Sequence, residues 1–192
     1  MKYVKKGFTV AELLIVCAIV GILIAISIPI LNVQLEKARE AHDIALMRTA
    51  ASAAMDLYYA GVHDGPSAAK AGMSWNTSGP SSGVAYNAYG AYDPKTGKFY
   101  KTRDDLPAGS KNYGKGTAVD GGTQFPSANP NGSYIATEDY TNAVVMVSIY
   151  PNAEHPCVDV YWKNNVGSKK GSYVGLNSVV NVPKYSLRYY LN

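Results

Sequence analysis

Glu12 is the only charged residue between Phe8 and Leu31. The run reads FTVAELLIVCAIVGILIAISIPIL, 24 residues of almost wholly apolar character. An acidic side chain facing a bilayer costs several kcal/mol unless it is neutralised or paired, which makes Glu12 a functional candidate. No Lys, Arg or His follows it until Lys37. On the other side lies Met1–Gly7, MKYVKKG, with three lysines. A break between Gly7 and Phe8 would create a free amine four residues before Glu12. That cation could pair with the carboxylate within one chain or between stacked neighbours.

Other residues capable of chemistry are scattered. His42, His63 and His155 have no neighbouring cysteine or carboxylate pattern of a zinc site. The sequence holds no phosphate-binding glycine loop and no nucleophile elbow, so no enzymatic role is expected. Nor is any cofactor. Asp93, Asp104, Asp105 and Asp120 are weak calcium candidates, because calcium favours several oxygen ligands. Their spacing fits no EF-hand, and solvated loop carboxylates are the simpler reading. Cys17 lies inside the apolar run and Cys157 far into the polar half, so an intrachain disulfide is not expected.

The apolar run must position Glu12. About 20 helical residues cross a hydrocarbon core of about 30 Å, so the run is long enough to span. Lysines ahead of it place that end in the cytoplasm and the rest of the chain outside. A secretory signal peptide has a shorter core and a small-residue cleavage site, and Ala25-Ile26-Ser27 fits that poorly. A plain single-pass anchor explains the length and the lysines but not Glu12. The formal charge is +4, from 18 basic and 14 acidic residues. Without Lys2, Lys5 and Lys6 it is close to neutral, which gives little support to a nucleic-acid function.

Lys5-Lys6-Gly7-Phe8-Thr9-Val10-Ala11-Glu12, followed by an uninterrupted apolar run, resembles the prepilin leader of type IV pilins and their relatives. The resemblance implies cleavage between Gly7 and Phe8 by a prepilin peptidase, N-methylation of Phe8 and a role for Glu12 in assembly. It further implies self-polymerisation served by an assembly platform protein and an ATPase, with membrane lipid covering the precursor. Pro29 matches the helix proline of the family and implies a kink or weakened turn there. Gram-negative relatives often close the last part of the domain with a disulfide. Only Cys157 is available here, which leans towards a Gram-positive source.

Beyond the run, residues 32–60 read as an amphipathic helix. Ile44, Met47, Ala51, Ala54, Met55 and Tyr58 recur at three- and four-residue steps and should pack on a sheet. Glu36, Lys37, Arg39, Glu40 and Asp43 are expected on the opposite, solvated face, with Arg39 and Asp43 in reach of one another. Gly61 is the expected stop. Strands are expected near Val84–Tyr92, Lys98–Thr102, Ala143–Tyr150, Cys157–Trp162, Ser178–Val182 and Tyr185–Leu191. The fold class is therefore α+β: a long N-terminal helix packed on a C-terminal antiparallel sheet. The expected organisation is a leader over residues 1–7, a transmembrane and polymerisation helix over 8–31, an amphipathic helix over 32–60 and an extracellular β-rich domain over 61–192.

The resulting expectation is a structural subunit, held in the cytoplasmic membrane as a precursor and then placed in a surface filament for adhesion, aggregation or twitching motility. Two other roles compete: a pseudopilin of a secretion or competence machine, and a membrane-anchored binding protein that never polymerises. Lys169, Lys170, Lys184 and Arg188, with Tyr173, Tyr185, Tyr189 and Tyr190 nearby, form a basic aromatic tract that could contact DNA, although strand-edge lysines often only discourage unwanted pairing.

Overall fold

A computed structural model describes residues 7–77, 86–117, 119–122, 134–135, 138–174 and 186–191, with the side chains of Lys169 and Ser186 left aside. Helix α1 runs unbroken over Val10–Tyr59, 50 residues with Pro29 inside it. At about 1.5 Å per residue its length is about 75 Å. It stops two residues before Gly61. A short helix α2 (Gly65–Lys70) follows, which the periodicity of the sequence does not announce. Its N-cap is Asp64, whose carboxylate accepts the Ser67 N–H at 2.8 Å.

Six strands are described: β1 (Ser74–Asn76), β2 (Asn87–Asp93), β3 (Lys98–Tyr100), β4 (Ala143–Tyr150), β5 (Cys157–Asn164) and β6 (Ser186–Tyr190). They form one antiparallel sheet in the order β1-β2-β4-β5-β6, with β3 also paired to β2. The strands expected near Lys98–Thr102, Ala143–Tyr150 and Cys157–Trp162, and the described parts of those expected near Val84–Tyr92 and Tyr185–Leu191, are thus present with shifted ends. The Ser178–Val182 expectation lies outside the described residues, as do Val84 and Tyr185. A tight turn beginning at Asp93-Pro94 joins β2 to β3, and Asp93 closes it. Its carboxylate accepts the Lys95 N–H at 3.0 Å and the Thr96 hydroxyl at 2.5 Å.

Strand alternation decides which side chains meet the helix. Ala143, Val145, Val147 and Ile149 of β4 and Val158, Val160 and Trp162 of β5 face α1. The helix offers Met47, Ala50, Ala51 and Ala54 in return, and the small residues let it lie close to the sheet. Met55 and Tyr58 are half-buried at the margin of this core. The opposite face carries a second cluster of Ala91, Leu106, Val144, Met146 and Tyr161. Residues after β3 fold over it.

Tyr113 locks that covering segment to the sheet. Its hydroxyl donates to the Tyr92 carbonyl at 2.6 Å and accepts from the Val145 N–H at 2.7 Å, where β2–β4 pairing has ended at Ala91 and Met146. Removing the hydroxyl strands the Val145 N–H in the core. Tyr113→Phe is expected to lower stability by about 1–3 kcal/mol, measured by denaturant unfolding of the full chain in detergent.

Candidate assembly site

Glu12 sits in the first turn of α1. Thr9 is the N-cap: its hydroxyl accepts the Glu12 N–H at 3.2 Å, and Glu12 Oε2 accepts the Thr9 N–H at 2.8 Å and the Thr9 hydroxyl at 2.9 Å. This reciprocal box satisfies donors that a helix start otherwise leaves orphaned. It also sets the helix boundary. Gly7, Phe8 and Thr9 lie ahead of the helix, and Phe8 is 88% exposed. The Gly7–Phe8 peptide bond is thus non-helical and accessible, directly before a rigid helix.

From Val10 to Leu35 no residue of α1 is buried. Sixteen large apolar side chains stand exposed on this half, from Val10 to Leu35. Burying each contributes about 1.5 kcal/mol or more, so the exposed surface represents on the order of 25 kcal/mol. That exceeds the usual stability of a whole domain. The helix is long and apolar enough to cross a membrane. Its apolar half needs a lipid environment or neighbouring helices. Ser27 gives its hydroxyl proton to the Leu23 carbonyl at 2.7 Å within it. Cys17 is exposed on this half and Cys157 is buried in the sheet, both as free thiols. Burial pushes the Cys157 thiol up to about 11.

The lower half of α1 overturns one expectation. Glu36, Glu40 and Asp43 are not a solvated face; they are 2%, 0% and 0% exposed. They line the side of the helix met by residues 115–117 and by Gly121, and the backbone N–H groups of Lys115, Gly116, Thr117 and Gly121 point at them. Asp43 accepts from Lys115 at 2.9 Å and Gly116 at 2.7 Å, and from the Tyr134 hydroxyl at 3.2 Å. Glu40 accepts from Gly121 at 2.9 Å, and Glu36 accepts from Thr117. A buried carboxylate is tolerated when donors surround it, and this irregular segment has N–H groups with no ladder to join. Each need answers the other. The expected Arg39–Asp43 pair gives way to Arg39–Glu36 at 3.2 Å, because Asp43 is turned inward.

Burial raises the Asp43 carboxyl to about 6, while the Gly116, Lys115 and Tyr134 donors and the charge of His42 pull the other way. The folded state therefore binds this proton more tightly than the unfolded chain, whose carboxyl titrates near 3.8. The contribution favours folding most below about pH 4 and is lost as pH rises through about 6. It amounts to about 3 kcal/mol at most. Asp43→Asn is expected to flatten the pH dependence of the melting temperature between pH 4.5 and 7.5. A variant whose profile overlays that of the parent would refute the assignment.

The structure does not bring the four weak calcium candidates together, and no group of three metal-ligating side chains forms among the described residues. Asp93 is buried in its hairpin. Asp104 pairs with Lys170 at 2.6 Å. Asp105 accepts the Thr102 N–H at 3.0 Å, and Asp120 accepts the Gly122 N–H at 2.7 Å. The basic aromatic tract also separates. Arg188 holds Asp159 through two bonds of 2.6 Å, and Tyr189 packs against the helix-side core. Lys184 and Tyr185, with the Lys169 side chain, lie outside the described residues.

A family model described as the prokaryotic N-terminal methylation motif matches residues 3–28. Two proteins named type IV major fimbrial protein FimA, both from Dichelobacter nodosus, align over 124 residues each. They are 36% and 35% identical to this chain, covering 62% of it and 74% and 73% of the relatives. The chain belongs to the type IV pilin family. No solved structure matches it. The long apolar helix and antiparallel sheet of this pilin are the family's architecture reached from its own sequence. It is a structural subunit, and its likeness to fimbrial proteins gives no support to an enzymatic role. The pilin motif and the apolar helix fit a membrane-anchored precursor and an extracellular pilus. The Gram-positive source expected from the lone Cys157 finds no support in these relatives.

Proposed function

We propose that the chain is stored in the cytoplasmic membrane as a precursor, cut between Gly7 and Phe8 by a prepilin peptidase, and N-methylated at Phe8. An assembly platform and its ATPase then draw it into a surface filament built of copies of itself, alone or with other pilins. Adhesion, aggregation and twitching motility are the uses such a filament serves. In this reading residues 1–7 are the leader, 8–31 the membrane and polymerisation helix, 32–60 the amphipathic helix and 61–192 the extracellular domain.

The observation that carries the proposal is the apolar half of α1, wholly exposed in the single chain. One surface serves two solvents in turn, lipid before assembly and neighbouring helices after it. The Glu12 carboxylate, held at the N-cap by Thr9, would exchange those donors for the amine created at Phe8. Pro29 removes one helix hydrogen bond and gives the packed helix a weak turn. The relatives' description as major fimbrial proteins favours a main filament subunit over an accessory one. Intact mass and N-terminal sequence of protein sheared from cells test the reading. A chain starting at N-methylated Phe8 supports it. A chain that still starts at Met1 and stays in membranes, or one cut near Ile28 and freely secreted, refutes it.

A further inference from the structure

Where α1 leaves its apolar run, its charges are sorted by sign. Glu36, Glu40 and Asp43 are buried, whereas Lys37, Arg39, His42 and Arg48 are exposed. The sorting is done by the covering segment, whose Lys115, Gly116, Thr117 and Gly121 N–H groups hold the three carboxylates inward. Between Glu12 and Asp56 the helix therefore presents no exposed acid. Arg39 meets Glu36 through one nitrogen at 3.2 Å, and its side chain stays half exposed. That bond uses one of the five donors of a guanidinium.

Height along the helix places two of these cations. Lys37 follows Val10 by 27 residues and Arg39 by 29, or about 41 and about 44 Å. A bilayer measures about 30 Å across its hydrocarbon and about 40–45 Å with its headgroups. Helical side chains slant towards the N-terminus, so both cations reach back into the outer headgroup layer when Val10 lies at the inner one. His42 and Arg48 stand further out. The covering segment meets α1 at the same height, since a Cβ on Gly121 would lie 2.7 Å from the Lys37 Cα. Beside Gly121, Val119 and Asp120 are exposed, and the Asp120 carboxylate accepts the Gly122 N–H at 2.7 Å.

We propose that Lys37 and Arg39 form a collar that binds the phosphates of anionic phospholipids in the outer leaflet and seats the rim of the soluble domain on the membrane. Charge and continuity select this partner. The last exposed large apolar side chain of the run, Leu35, lies two residues before Lys37. A surface that suits lipid tails thus runs without a break into one that suits their headgroups. An anionic lipid offers net negative charge, whereas a zwitterionic one brings its own ammonium and cancels it. Val119 adds an exposed apolar side chain to the rim. The collar rests on the membrane placement of α1 in the reading above; the sorting of charges stands on the fold alone.

The test reads the lipids retained by the full chain, by native mass spectrometry from micelles holding equal amounts of phosphatidylglycerol and phosphatidylcholine. Lys2, Lys5 and Lys6 are common to every variant, so the readout is the change in preference. At about fivefold per cation near an anionic surface, Lys37→Gln/Arg39→Gln is expected to lower the preference for phosphatidylglycerol roughly 25-fold. Asp120→Asn is expected to raise it several-fold, a gain that loss of folding cannot mimic. An undiminished preference in the double variant, a weaker one in Asp120→Asn, or displacement of the lipid by inorganic phosphate overturns the collar. Flotation with vesicles of the same two lipids separates the two readings. A chain that floats, with parent and double variant alike in preference, overturns the collar alone; a chain that does not float overturns the membrane reading and the collar with it.

Discussion

Glu12→Ala is expected to leave the precursor membrane-inserted and cleaved but almost absent from sheared surface filaments. The variant loses more than a charge. In the parent, Oε2 of Glu12 accepts two donors from Thr9 at 2.8 and 2.9 Å, so the helix start is satisfied before any neighbour arrives. On the proposed cleavage at Gly7, the Phe8 amine would enter an apolar bundle and need an anion at its depth. No other carboxylate follows in α1 until Glu36, which is 24 residues or about 36 Å further along the helix. An unpaired buried charge costs about 3–5 kcal/mol, enough to lower assembly more than a hundredfold. Glu12→Gln keeps an acceptor for the cap but not the charge. It should fold and insert normally and still assemble poorly, whereas Glu12→Asp should recover part of the yield. The measurement is pilin in the sheared fraction against pilin in membranes, by quantitative immunoblot with mass spectrometry of the N-terminus. Normal filament yield from Glu12→Gln would show that the charge is dispensable.

Gly121→Val carries the largest expected effect on the soluble half. A Cβ at Gly121 would lie 2.7 Å from the Lys37 Cα and 2.8 Å from the Glu36 carbonyl carbon. These are helix backbone atoms and cannot step aside. The segment would have to lift from α1, breaking the Gly121 N–H bond to Glu40 and disturbing those to Glu36 and Asp43. Three buried carboxylates would then lose donors together. Overpacking alone costs about 1–3 kcal/mol, and each stranded buried acceptor adds about 1–3 kcal/mol. A loss of about 4 kcal/mol and a fall of roughly 10 °C or more in melting temperature follow. Thermal unfolding by circular dichroism in detergent reads it. An unchanged melting temperature would show that the segment does not clasp the helix.

These two sites divide what was legible in the sequence from what was not. The Glu12 site is local. An acid alone in 24 residues, a glycine–phenylalanine pair ahead of it and a length sufficient to cross a membrane are all read along the chain, because helix rise and side-chain burial depend on neighbours a few residues apart. The same holds for β4 and β5, whose alternation places Val145 and Val147 on one face, and Val158 and Val160 on one face, by residue parity alone. The sequence likewise determined that the chain pairs one long helix with an antiparallel sheet.

The clasp was decided only by tertiary structure. Glu36, Glu40 and Asp43 have the spacing of a solvated helix face. What buries them is a segment 72 to 81 residues later that carries unpaired N–H groups. Periodicity reports that two faces of a helix differ, but not which partner covers each, and a backbone donor leaves no mark in the residue type. The tract that did look basic came apart because strand alternation turned Arg188 to Asp159 and Tyr189 to the helix. Long-range pairing sets where a charge finally sits, and only the folded chain shows the pairing.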